Sequence, residues 1–263
     1  MELNQLQHID QHIAQWLEHL DNVIPNLIAE MTTDTKVDRF DLVTNVDKQL
    51  QQQFEEYLNE HFPGHQLLGE EKNNDSIKPY EGHLWIMDPI DGTANLVKQQ
   101  EDYCIILAYF ENGEPQLSYI YDYPHRKLYK AIKGQGAYMN DQPLQPPKEV
   151  KLEDAVISFG SEYINDRANK ALYDAAFGVR YIGSCGLDSI RVIKGQFGAH
   201  FNTDPKPWDI SVQFLFAKQL GLKITRLDGG PLDYAKGGPF IISNKGCYEE
   251  MLSILNEGSG YLK

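Results

Sequence analysis

The stretch Trp85-Ile86-Met87-Asp88-Pro89-Ile90-Asp91-Gly92-Thr93-Ala94-Asn95 brings two carboxylates, a glycine and a hydroxyl to the end of an apolar run. His83 to Met87 reads as a buried strand. Pro89 carries no N–H, so regular pairing is expected to end at Asp88 and the chain to turn there. The two aspartates then face each other across a turn, close enough for neighbouring hard cations, with the Ile90 carbonyl between them as a further oxygen donor. Gly92 permits close backbone approach, and Thr93 is placed to open a helix whose unpaired N–H groups face an anion. Metal ions and a phosphate suit such a set. Asp-Pro or Asp-Gly alone is an ordinary turn dipeptide, so the weight falls on the other acids of the chain.

Three further acidic segments occur in contexts that surface decoration does not explain. Asp41-Leu42-Val43-Thr44-Asn45-Val46-Asp47 sets Asp47 at a helix start, where Thr44 also fits a capping box. Leu67-Leu68-Gly69-Glu70-Glu71 ends an apolar stretch in paired carboxylates, and Pro207-Trp208-Asp209-Ile210 begins another helix with an acid. In order and spacing, and together with Gly183-Ser184, these segments resemble the inositol monophosphatase family of Mg²⁺-dependent, lithium-sensitive phosphomonoesterases over nearly the whole chain.

The resemblance implies an α+β fold, a layered αβαβα sandwich of the inositol monophosphatase and fructose-1,6-bisphosphatase type, commonly assembled as a homodimer. It implies that Glu70, Asp88, the Ile90 carbonyl, Asp91 and Asp209 hold two or three Mg²⁺ ions. Asp47 and Thr93, assisted by Glu70, would orient the attacking water, and the N–H groups of Gly92 and Thr93 would contact the phosphate. Gly183, Ser184, Cys185 and Asn202 fall on the substrate side. The chemistry expected is in-line attack by a metal-activated water without a phosphoenzyme. Four clustered carboxylates repel: at about 5 Å and an effective dielectric of about 20, each pair costs roughly 3 kcal/mol until cations neutralise it.

The substrate expected is a small phosphate monoester such as inositol monophosphate. The family's NADP 2′-phosphate, 3′-phosphoadenosine 5′-phosphate and fructose 1,6-bisphosphate are the alternatives. Asn202 stands where inositol-selective relatives place a glutamate that hydrogen-bonds the sugar alcohol, and a less charged wall tolerates a nucleotide better. Leu96 replaces the phenylalanine usual after Asn95, and Ser211 a small apolar residue.

Composition agrees with a cytoplasmic enzyme. The 263 residues, 41% hydrophobic, suffice for one large domain or two lobes. A net charge of −14, from 24 basic against 38 acidic residues, disfavours nucleic acid and anionic membranes as partners. No apolar run approaches the roughly 18 residues of a membrane span, and the N-terminus does not read as a secretion signal. Cys104, Cys185 and Cys247 are odd in number and far apart, as reduced thiols are. His61, His65 and His83 match no zinc spacing, and Cys185 has no cationic neighbour in sequence that would make it a nucleophile.

Leu6, Ile9, Ile13, Trp16, Leu17, Leu20, Val23, Ile24 and Leu27 recur at helical spacing, and Val46, Leu50, Phe54 and Leu58 mark a second helix. Tyr103–Phe110 and Gln116–Tyr123 flank Asn112-Gly113, which predicts a hairpin; another strand pair is expected across Lys127–Tyr138, bending at Lys133-Gly134-Gln135-Gly136. The connector Pro143-Leu144-Gln145-Pro146-Pro147 suggests a boundary between an N-terminal α+β lobe, 1–145, carrying most metal ligands, and a C-terminal α/β lobe, 146–263, completing the active site. There, strands are expected at Val156–Phe159, Val179–Ile182, Ala199–Asn202, Lys223–Leu227 and Phe240–Ser243. Helices are expected at Asp166–Phe177, Leu187–Lys194, Trp208–Leu220 and Tyr248–Leu255.

Overall fold

Leu6, Ile9, Ile13, Trp16, Leu17, Leu20 and Ile24 are all buried, forming one stripe of helix α1 (Leu3–Ala29). That stripe meets Val46, Leu50, Phe54 and Leu58 of α2 (Asn45–His61), where the Trp16 and Phe54 rings lie 4.7 Å apart. The computed structural model describes residues 3–36, 42–160, 164–258 and 260–261; Asp41, part of the motif read above, lies outside them.

The two helices cover a seven-stranded sheet. Its strands are β3 (Gln66–Gly69), β4 (His83–Asp91), β5 (Cys104–Glu111), β6 (Glu114–Asp122), β7 (Lys127–Ile132), β8 (Gly136–Met139) and β9 (Gln142–Pro143), side by side in sequence order. A short pair, β1 (Thr33–Thr35) with β2 (Leu42–Thr44), precedes α2. β4 is buried on both faces, which its unbroken apolar run already indicates. Pro89 does not end it: pairing with β5 continues to Asp91 opposite Cys104, through a register shift between Asp88 and Asp91. A bulge absorbs the missing N–H and turns the two aspartates relative to the ladder.

Beyond this sheet lie α5 (Cys185–Ile193), α6 (Pro207–Ile210) and α7 (Gln213–Leu220). Then comes a five-stranded sheet in the order β11 (Gly178–Arg180), β10 (Val156–Ser158), β12 (Ala199–Asn202), β14 (Phe240–Ser243), β13 (Lys223–Arg226). α4 (Asp166–Ala175) and α8 (Lys245–Asn256) close the far side, and the short α3 (Thr93–Gln99) follows β4. The layers are αβαβα. In β14 the alternation of a strand is visible in the cores: Phe240 and Ile242 pack with α5 and α7, whereas Ile241 packs with α4 and α8.

The helix expected over Trp208–Leu220 is two, α6 and α7, although Ser211 and Val212 between them keep helical dihedrals. At this break the Gln213 side-chain amide donates to the Asp209 carbonyl. No helix is long and apolar enough to cross a membrane among the described residues.

Candidate active site

Asp88, Asp91 and Asp209 each present a carboxylate oxygen to one point, all within 4.8 Å of one another. The β4 bulge aims the first two, and α6 brings the third. Asp88 accepts from the Ile90 N–H at 3.0 Å. Asp91 is held far more tightly by the start of α5. Its Oδ2 accepts from Ser184 Oγ at 2.5 Å and from the Gly186 N–H at 2.7 Å, and its Oδ1 from the Cys185 N–H at 3.0 Å. Gly186 is required there, because a Cβ would fall 3.0 Å from that same carboxylate and 2.7 Å from Cys104 Sγ. Asp209 accepts from the Lys206 N–H at 2.6 Å.

These acids are poorly matched to water-free burial without a cation. Burial, then Glu70, Asp91 and Asp209, push Asp88 well above the usual carboxylate range. Burial and Asp91 bring Asp209 up to about 8. Asp91 is also raised by burial, though Ser184 and the α5 N–H groups oppose the shift. Glu70 stands at the end of β3 beside Asp88 and is raised by burial, against the pull of Lys36. Lys36 donates to Glu70 Oε1 at 2.6 Å and also to Glu71. Burial opposes its charge, but these two acids hold it protonated.

Asp47 stands in the first turn of α2. Thr44 caps α2, and Asp47 answers by accepting from the Thr44 N–H at 2.9 Å and its hydroxyl at 2.5 Å. The same side chain that closes the capping box also reaches the turn after β4, because Thr93 Oγ1 lies 2.9 Å from the other Asp47 oxygen. The Thr93 hydroxyl is also 2.9 Å from the Ile90 carbonyl. Gly92, at φ +93°, makes the turn into α3, and a Cβ there would meet the Asp102 carbonyl at 3.0 Å and Ser184 Cβ at 3.2 Å. An oxygen-only set of clustered carboxylates, Asp88 and Asp91 buried and Asp209 half-buried, fits a hard divalent cation such as Mg²⁺.

The model of the inositol monophosphatase family matches residues 4–259. The chain belongs to that family. An inositol-1-monophosphatase of Bacillus subtilis (strain 168) is 35% identical over 255 residues, 93% of this chain and 96% of its own length. An IMPase/NADP phosphatase solved with NADP and Ca²⁺ is 64% identical with a TM-score of 0.97, over 98% of both chains. A staphylococcal inositol monophosphatase-1, solved as a LiCl-soaked inhibitory complex, is also 64% identical, with a TM-score of 0.96 over 98% of both chains. This inositol monophosphatase-family protein is thus a metal-dependent phosphoric monoester hydrolase.

Other sequence-predicted residues of this phosphatase have contacts of their own. Ser184 and the Cys185 N–H clamp Asp91, while Gly183, at φ +83°, lies against the Asn95 side chain. Cys185 Sγ sits 3.7 Å from His200 Nε2, and burial pushes the thiol well up, which denies it nucleophilic character. Asn202, at the end of β12, accepts from the Asp204 N–H at 3.0 Å. His65 and His83 stack at 4.4 Å and bond Trp85 and Tyr109 respectively, and His61 lies against Tyr57. Lys36 escaped sequence reading because a lone lysine carries no spacing signal. Gln213 escaped because its partners are assembled only by the fold.

Proposed function

We propose that this chain hydrolyses inositol monophosphate and, at the same site, the 2′-phosphate of NADP, using two or three Mg²⁺ ions held by Glu70, Asp88, Asp91, Asp209 and the Ile90 carbonyl. The observation that carries this reading is the convergence of Asp88, Asp91 and Asp209 within 4.8 Å, beside the Thr93–Asp47 pair. Bound Mg²⁺ supplies charge neutralisation and lowers the pKa of water.

Thr93 has one hydroxyl proton and two acceptors within 2.9 Å, Asp47 Oδ1 and the Ile90 carbonyl. Were the Ile90 carbonyl to hold a cation, the Thr93 proton would go to Asp47, and the Thr93 oxygen would be left to accept from the attacking water. Burial raises Asp47, against the bonds it accepts from Thr44 and Thr93, and a raised carboxylate is the better proton acceptor. Glu70 assists from the β3 side, and the Gly92 and Thr93 N–H groups bind the phosphate. Gly183, Ser184, Cys185 and Asn202 border the leaving alcohol.

The second activity is supported by Asn202, a neutral residue whose Oδ1 is already engaged by Asp204, in place of a selective acid. It is further supported by the 64% identical relative named for both activities. We also read the chain as two lobes, 1–145 and 146–263, paired into a homodimer in the cytoplasm. Tyr173, Phe177 and Tyr181 are large aromatic groups 58%, 75% and 57% exposed on one stretch of the C-terminal lobe, the composition of a covered face. Three buried free cysteines accord with a reducing compartment.

Phosphate release from inositol 1-phosphate, NADP, 3′-phosphoadenosine 5′-phosphate and fructose 1,6-bisphosphate tests the reading directly. Turnover of the first two with Mg²⁺, lost in EDTA and inhibited by Li⁺, is expected. Silence on all four with Mg²⁺ present refutes it.

A further inference from the structure

Asp91 and Asp209 come from different elements, and their carboxylates must keep a fixed separation to share ions. Asp91 is tied through Ser184, Cys185 and Gly186 to the start of α5, so its position is the position of that helix. Asp209 moves with α6. One completely buried side chain bonds both. Gln213, the first residue of α7, donates from Nε2 to the Asp209 carbonyl at 2.8 Å and to Ser189 Oγ on α5 at 3.1 Å. Cys185 Sγ lies 3.9 Å from the same nitrogen.

Both amide hydrogens are therefore used, one on the residue that bears a site carboxylate and the other on the helix that clamps its neighbour. The orientation is not free: a flipped amide would aim its oxygen at the Asp209 carbonyl, acceptor against acceptor. Gln213 Oε1, by contrast, is buried without a hydrogen-bond partner. A half-satisfied amide makes a weaker core than an apolar side chain of the same shape, so stability is not what this residue offers.

We propose that Gln213 is a positioning residue for the metal site, holding α6 against α5 at the spacing at which Asp209 and Asp91 bind common ions. The inference rests on the metal-binding reading of those aspartates. Gln213→Met keeps length and volume and removes both donors; Ser189→Ala removes the α5 anchor alone. Each intact variant is titrated with Mg²⁺ by calorimetry, and its melting temperature is read in EDTA. For Gln213→Met the Mg²⁺ dissociation constant is expected to rise about 10–100-fold, while the melting temperature in EDTA equals or exceeds that of the unchanged protein. Ser189→Ala should weaken Mg²⁺ less, and the two changes should combine to less than the sum of their free-energy effects. Unchanged Mg²⁺ affinity in Gln213→Met, whatever its melting temperature, overturns the proposal and assigns Gln213 to packing. If the unchanged protein itself fails to bind Mg²⁺, the metal-site reading falls instead.

Discussion

Thr93 Oγ1 and Asp47 Oδ1 lie 2.9 Å apart, joining the turn after β4 to the first turn of α2. Asp47 thereby divides its two oxygens: one closes a helix cap with Thr44, and the other accepts from Thr93, its partner in the proposed catalytic pair. Asp47→Asn separates them, since an amide oxygen still accepts from Thr44 but cannot take a proton. The expected result is a melting temperature within a few degrees of the original and a kcat lower by about 10²–10⁴-fold. Thr93→Val should lower kcat comparably. An Asp47→Asn protein that retains kcat within about threefold would leave only the cap, an element worth about 1 kcal/mol.

The metal-free protein should be least comfortable at high pH. Unfolded aspartates titrate near 3.9. Asp209 titrates at about 8 in the folded chain, and Asp88 and Asp91 are raised beside it. Between these values the folded state holds more protons than the unfolded one, so stability falls as pH rises from about 4 through the Asp209 value of about 8. Mg²⁺ replaces those protons. The gap between melting temperatures in Mg²⁺ and in EDTA should therefore widen toward pH 8, and Mg²⁺ addition at neutral pH should release protons into a weakly buffered solution. A gap independent of pH would contradict the protonated cluster.

Ser184 caps α5 through the Leu187 N–H and at the same time donates to Asp91 at 2.5 Å. Ser184→Ala removes both. The cap loss should cost about 0.5–2 kcal/mol of stability. The loosened Asp91 should weaken Mg²⁺ about tenfold, the lower end of what outer contacts to a metal ligand contribute. Calorimetric titration checks the second figure independently of the first.

Much of this site is legible in the sequence because its parts are local. Asp88-Pro89-Ile90-Asp91-Gly92-Thr93 carries two of the converging carboxylates and its turn within one short run, although Pro89 predicted an end to pairing where β4 instead continues through a bulge, and the Asn112-Gly113 dipeptide announces the hairpin of β5 and β6, with both residues at positive φ. What the sequence does not display is convergence across elements. The clamp of α5 on Asp91, the bridge of Lys36 to Glu70 and Glu71, and the two bonds of Gln213 each join elements whose relation only packing sets. The same reason hides β3, whose four residues pair in parallel with β4 and carry too little periodicity to mark a strand. Local propensity also favoured one helix over 208–220, where the structure has two, with the buried Gln213 side chain bonded to the Asp209 carbonyl at the break while the backbone between them stays helical.

Gly92 provides a test of how closely the turn into α3 is packed. Its φ of +93° is a conformation that L side chains rarely adopt, and a Cβ would stand 3.0 Å from the Asp102 carbonyl. Gly134, at φ +76°, shares the conformation but has nothing within 4 Å of the added carbon. Gly134→Ala should therefore show only the backbone cost, about 1–2 kcal/mol, or roughly 2–8 °C of melting temperature in a chain of this size. Gly92→Ala should cost more, because the Asp102 carbonyl is backbone and must shift with the start of β5. That shift moves the N–H groups proposed to hold the phosphate, so KM should rise for every phosphomonoester alike while Gly134→Ala leaves KM unchanged. Equal losses of stability in the two variants, with KM unaltered in both, would show that the turn has slack the geometry does not suggest.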